Sequence, residues 1–261
     1  TRVKGLFVTR ICTTTRNAFD SIFISSFIGL SAVAIYGNYY YIMSAIIGIL
    51  NVLTVAMTAS VGNSLVTESI EKNYNDLRQM NFLFNWIVGF CTCCLLTMIQ
   101  PFMRIWMGKD ALFSVPMVIL MCIYFYILNI GSIRAVYHDA AGLWWEARYR
   151  AIIEAVMNLV LNFILTRWLG VFGTVLGTTI SLIFINYIWG GQIVFKYYFR
   201  FISAREYFID NFKYSIVTFI GCIVAYFFTS TMIKDDFIAC FFSCFVSILV
   251  FNVIYLVSFY K

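Results

Sequence analysis

Charged side chains are what this sequence has least of: 11% of its 261 residues, against 62% hydrophobic ones. A soluble domain carries about a quarter charged residues, so the deficit excludes a soluble globular chain and points to one embedded in lipid. Prolines number two and histidines one. With no Pro/Ser-rich linker and no low-complexity tract, no separate soluble domain is expected. The lone His138, beside Asp139, has no Ser or Cys nucleophile at motif spacing, so a structural role is the better reading than acid/base chemistry. A Gly-rich phosphate loop, a Walker sequence, an HExxH run and a carboxylate-rich metal loop are all missing. The expectation is therefore no catalytic residue, no metal and no cofactor. The chain opens on Thr1 with no charged leader before an apolar core, which reads as a fragment or processed chain without a signal peptide.

Other features are plentiful. Phe (27) and Tyr (17) suit rings packed against lipid or placed at its interface. The net charge of +6 is not a nucleic-acid signature, because the bases lie between apolar runs rather than on one face. The eight cysteines fall almost entirely within apolar runs, and the CTCC at 91–94 has no neighbouring His or Asp. They read as small packing residues.

The organising stretch is Asn17–Val66, whose only formal charge is Asp20. It is too long for one buried core helix and long enough for a membrane helix that turns back. Gly29–Ser31 and Gly37–Asn38 are its natural breaks. Within it lie Asn38, Asn51 and Asn63 as well as Asp20. An intramembrane ionisable group costs about 3 kcal/mol on insertion scales, so it faces a partner or a wet cavity.

The hydropathy pattern predicts an all-α integral membrane protein of eight spans, near 7–28, 34–64, 80–99, 115–134, 151–168, 172–195, 214–232 and 237–260. The third is expected to stop at Gln100–Pro101, followed by an amphipathic connector, and Leu169–Gly170 to make a tight return. Residues 196–213 read as a cytoplasmic interfacial segment, and Lys234–Asp235–Asp236 as the turn of a terminal hairpin. With the amino end inside, only Arg104, Lys109, Arg167 and Lys234 of the eighteen bases fall outside. That asymmetry predicts an even number of spans with both ends cytoplasmic.

Arg150, Glu154, Asn158, Asn162 and Thr166 recur every four residues and form one polar stripe. Two readings stand open: the wall of a water-filled cavity, or a seam bonded to another helix. Arg16 and Asp20, also four apart and with Asn17 beside them, form either an ion pair or a site for a coupling cation or proton. Ser44, Gly48, Asn51, Thr58 and Gly62 read as a close-packing face, and Gly173-xxx-Gly177 as a weak dimerisation signal.

The runs GLSAVAIYGNYYYIMSAIIGILN (29–51), TASVGNSLVTES (58–69) and AGLWWEARYRAIIEAVMNLVLNFILTRWLGVFGTVLGTTIS (141–181) resemble the second half of bacterial polysaccharide (O-antigen, Wzx-type) flippases. These belong to the multidrug/oligosaccharidyl-lipid/polysaccharide exporter (MATE-like) superfamily. The resemblance implies a six-helix carboxy-terminal lobe (1–195), the segment 196–213, and a terminal helix pair (214–261). It implies a substrate, undecaprenyl-diphosphate-linked oligosaccharide, moved across the bacterial cytoplasmic membrane by alternating access. The implied partners are an amino-terminal half of the transporter, a polysaccharide polymerase and glycosyltransferases. A basic cavity would suit the doubly charged diphosphate, with Arg16, Arg134 and Arg150 as its ligands. Asn17, Asp20, Asn38, Glu154, Asn158 and Asn162 complete the candidate cavity lining. A cation-coupled drug exporter of the same superfamily is the alternative, and a membrane glycosyl- or acyltransferase a further one.

Overall fold

The computed structural model describes residues 2–230 and 236–260, apart from the side chains of Arg2, Arg16 and Asn17. Arg16 and Asn17 of the candidate set, and Lys234 and Asp235 of the expected hairpin turn, thus lie outside the described residues. Ten α-helices account for most of the rest: α1 (Arg2–Phe27), α2 (Leu30–Thr67), α3 (Ile70–Met107), α4 (Val115–Ile130), α5 (Ser132–Ala140), α6 (Arg148–Leu169), α7 (Val171–Ser181), α8 (Gly190–Tyr197), α9 (Ala204–Ser230) and α10 (Asp236–Phe259). A π-helical stretch, Leu182–Trp189, joins α7 to α8. No strand occurs among the described residues.

The breaks have local causes. Gly29 ends α1 at φ 122, in the left-handed region that a side chain would strain. The α2–α3 turn is capped by Ser69, whose hydroxyl accepts from the Lys72 N–H. Asn73 clamps the same turn by donating to the carbonyls of Ser64 and Ser69. The turn after α6 uses Gly170 at φ 62. α4 starts with Pro116 in its first turn, where no N–H is missed.

Among the described residues, seven helical segments are long and apolar enough to cross a membrane, with α4–α5 acting as one span and α7 to α8 as another. α1 is not among them, because Lys4, Arg10, Arg16 and Asp20 interrupt its apolar run. Side chains such as Val52, Val55, Trp168 and Val257 are 70–80% exposed, and so much apolar surface is stable only against lipid. The chain is an all-α, multi-pass integral membrane protein.

Two groupings make up the bundle. α6 packs on α7 and α1, while α3 packs on α10, α9 and α4. The second grouping has its own small core of Cys93, Cys222, Ala225, Phe251 and Tyr255. Gly89 admits it, since a Cβ there would lie 2.7 Å from the Phe251 ring. Polar pairs lock the same contact: Thr97 with Ser247 at 2.9 Å, Trp86 to Asn252 at 2.9 Å, and Arg104 with Asp236 at 2.8 Å. The eight cysteines are free thiols.

Several expectations need correction. α3 does not stop at Gln100–Pro101 but passes through Pro101 to Met107. A knot of side chains holds it there: Tyr39 donates to Gln100 Oε1 at 2.8 Å, and Gln100 donates to the Phe113 carbonyl. Residues 196–213 form no separate interfacial helix, because α9 begins at Ala204 and runs straight into the span. The α2 stripe makes no close packing within the described residues: a Cβ at Gly48 or Gly62, or at the nearby Gly37, would meet nothing within 4 Å. Gly173 and Gly177 instead serve contact within the chain, their missing Cβ atoms making room for the Leu165 carbonyl and Asn162 of α6.

Candidate functional site

The site begins with Arg134 on α5, just beyond the kink at Gly131. Its guanidinium lies against two glycines: a Cβ at Gly131 would sit 3.1 Å from Nη2, and one at Gly190 would collide with Nη1. The side chain is therefore folded inward, and the residue is 5% exposed. Its hydrogen bond to Asn186 is a long one, Nη2 to Oδ1 at 3.5 Å, and the guanidinium also lies beside the buried Tyr207 hydroxyl. Nε is buried without a partner, and among the described residues Arg134 makes no ion pair.

Asn186 lies mid-way along the π-helical stretch and bridges outward. Its Nδ2 donates to both carboxylate oxygens of Glu154, at 3.3 and 3.2 Å. Glu154 in turn accepts from Arg150 at 2.7 Å, in a pair nearly closed to solvent. Arg150, Glu154, Asn186 and Arg134 thus form one chain across α6, the π segment and α5. Glu154 pairs with Arg150, and Asn186 links that pair to Arg134.

A cavity of about 270 Å³ opens beside this chain, lined by Arg134, Arg150 and Asn186, by Arg10 and Thr13 of α1, and by His138, Asp139 and Trp144. Asp139 is engaged by the Nδ1 of His138 at 2.8 Å, and His138 stands edge-on to the Trp144 ring. The His138 Nε2 is buried without a hydrogen bond. Among the described residues, three arginines line the cavity with one carboxylate, Asp139, while Glu154 behind Arg150 supplies a second, an excess of one positive charge. A buried, unpaired cation costs several kcal/mol, which an anion in the cavity would offset. Gly5 brings α1 to this end of the bundle, since a Cβ there would lie 2.6 Å from the Trp144 carbonyl oxygen.

A second polar centre lies deeper. Asp20, 5% exposed, accepts from Asn162 Nδ2 at 2.7 Å and from Thr178 Oγ1 at 3.0 Å. Asn158 donates to the same threonine at 2.9 Å, and Thr166 meets Thr174 at 2.8 Å. The α6 stripe therefore divides. Arg150 and Glu154 reach the cavity end, whereas Asn158, Asn162 and Thr166, all 0–2% exposed, form a packed seam with α1 and α7. Asp20, Asn158 and Asn162, expected as cavity lining, are in that seam, because α7 is drawn close at Gly173 and Gly177. Asn162 and Thr178 thus hold the Asp20 carboxylate by donated hydrogen bonds.

Of the remaining candidates, Asn38 is elsewhere: its amide points to Met107 Sδ at 3.5 Å. Arg10, His138, Asp139 and Asn186 join the site without having been selected. Asn186 had a signal, as the only polar hydrogen-bonding amide in LIFINYIWGG (182–191), directly before the glycine pair. Among the described residues no group of three His, Cys, Asp or Glu could hold a metal ion. In comparisons with known proteins, no family model, curated protein or solved structure matches the chain.

Proposed function

We propose that the chain is one lobe of a transporter that carries a lipid-linked oligosaccharide across the bacterial cytoplasmic membrane by alternating access. The observation that carries this reading is Arg134: a buried guanidinium without a carboxylate of its own, lining a cavity with Arg10 and Arg150. The diphosphate of an isoprenyl-linked glycan supplies two negative charges in a compact group, and arginine forks bind such groups bidentately. Counting α1 as the first of eight spans with its amino end in the cytoplasm, as the base asymmetry favours, puts the cavity on the cytoplasmic side. Arg10 is then about 28 Å along α1 from the Gly29 turn, at 1.5 Å per residue. A diphosphate entering from the inner leaflet meets it there.

Alternating access needs a second wall. The open stripe of α2, with Gly37, Gly48 and Gly62 meeting nothing, is the face left for an amino-terminal lobe. The Asp20–Asn162–Thr178 seam supplies the coupling group, taking up a proton or monovalent cation as the lobe changes state. A cation-coupled drug exporter would share that carboxylate, but the surplus positive charge of the cavity favours an anionic cargo.

The test is export of surface polysaccharide by the complete transporter carrying Arg134→Ala, Arg150→Ala or Arg10→Ala, with membrane abundance measured alongside. Strong loss in the first two variants at normal abundance is expected. Unchanged export in all three overturns the proposal.

A further inference from the structure

The cation cavity does not end at Arg10. A cleft of about 390 Å³ continues from it between α1, α2 and α5, sharing Arg10, Ala135 and Asp139. Its chemistry differs. The new lining is Asn51, Thr54 and Thr58 of α2 and Ser132 of α5, neutral hydrogen-bonding side chains interrupted by Val55 and Val136. Asn51, Thr54 and Thr58 fall on one helical face. We propose that this cleft is the glycan subsite of the carrier, holding the first one or two sugars next to the diphosphate. The inference rests on the lipid-linked oligosaccharide reading above and names the residues that would read the sugar.

Three features support a polyol as occupant. Asn51 lies mid-way along an apolar helix, is exposed to the cleft side, and its side-chain amide makes no hydrogen bond among the described residues. An amide left unmet in hydrocarbon is costly, so it calls for a polar partner. Thr54 and Thr58 donate their protons to the carbonyls of Asn51 and Thr54, which leaves their oxygens as acceptors for sugar hydroxyls. Asp139 gives one oxygen to His138 and has a second to accept from a hydroxyl pair. The surroundings are thus a mixed set of donors and acceptors with little net charge, suited to sugar hydroxyls and N-acetyl groups. The volume falls in the usual range for small-molecule sites, about 300–1,000 Å³.

The order of the two subsites matches the ligand. A diphosphate against Arg134 and Arg150 places the anomeric carbon one bond beyond, at the Arg10–Asp139 boundary, and the ring in the cleft. Isoprenoid and glycan then leave the diphosphate in different directions, the tail toward lipid and the sugar along α2.

The experiment uses the full chain in lipid nanodiscs. It measures binding of undecaprenyl diphosphate and of undecaprenyl diphosphate bearing N-acetylglucosamine, for wild type, Asn51→Leu, Thr58→Val and Ser132→Ala. Wild type is expected to prefer the glycosylated lipid. Each variant should lose about fivefold in affinity for it, the worth of one neutral hydrogen bond, while binding the bare lipid within twofold of wild type. Thermal melting of each variant checks that the fold is intact. The subsite is overturned if wild type binds both lipids equally, if the variants keep the preference, or if they weaken both lipids alike. If wild type binds neither lipid, the carrier reading itself fails and the subsite falls with it.

Discussion

Arg134→Met should make the unliganded protein more stable while removing its response to a diphosphate. Met fills most of the volume of the arginine stem and carries no charge. The substitution gives up one hydrogen bond to Asn186, long at 3.5 Å, a loss of about 1 kcal/mol. It also removes a guanidinium that is 5% exposed and lacks a carboxylate of its own, a relief of several kcal/mol. The balance is a gain of about 2 kcal/mol. For a chain of this length each kcal/mol moves the melting temperature by about 2–4 °C, so a rise of about 4–8 °C is expected. Pyrophosphate reverses the ranking: at a hundred times its Kd it adds about 2.7 kcal/mol to wild type and little to the variant. The assay is thermal unfolding in detergent across a pyrophosphate titration. A drop of 4 °C or more for the unliganded variant would mean that Arg134 is internally compensated. Equal stabilisation of both proteins by pyrophosphate would remove the anion from the reasoning altogether.

Further outcomes follow from the same contacts. Gly190→Ala places a methyl against the Arg134 guanidinium; overpacking should cost about 1–3 kcal/mol, and calorimetry should find pyrophosphate binding weakened about tenfold. Asp20→Asn keeps an acceptor for Asn162 and Thr178, so these two hydrogen bonds should survive and the variant should still fold by thermal melting. Export by the complete transporter should then lose its dependence on an imposed proton or sodium gradient. Gly48→Leu meets open space and improves helix propensity by up to about 1 kcal/mol. The chain alone should be at least as stable by thermal melting, while co-purification with an amino-terminal lobe should fall.

How much of this was legible beforehand depended on the period of the signal. Helix number and position follow from long apolar runs, and Gly29 and Gly170 mark their turns. The continuation of α3 through Pro101 was not legible, because the partners that fix Gln100 beside it, Tyr39 and the Phe113 carbonyl, are distant in sequence. The α6 stripe shows the limit most clearly. A four-residue repeat fixes which face Arg150, Glu154, Asn158 and Asn162 share, but not what lies opposite. Gly173 and Gly177 leave room for α7 to lie against the lower part, while Glu154 is left to Asn186. Glycines in the same kind of pattern on α2 do the reverse and meet nothing. Small residues at helical spacing permit approach without causing it.

The π-helical stretch between α7 and α8 has a mechanical consequence. Its coil is wider than that of an α-helix, so it stores slack that can be wound in without breaking the span. Tightening it would turn α8 relative to α7 and swing Asn186 off both Glu154 and Arg134 in one motion. A rotation of a few residues' worth of backbone would thereby uncouple the two arginines, turning a clamp for one compact anion into two separated cations. Grip and release would then be two windings of the same eight residues.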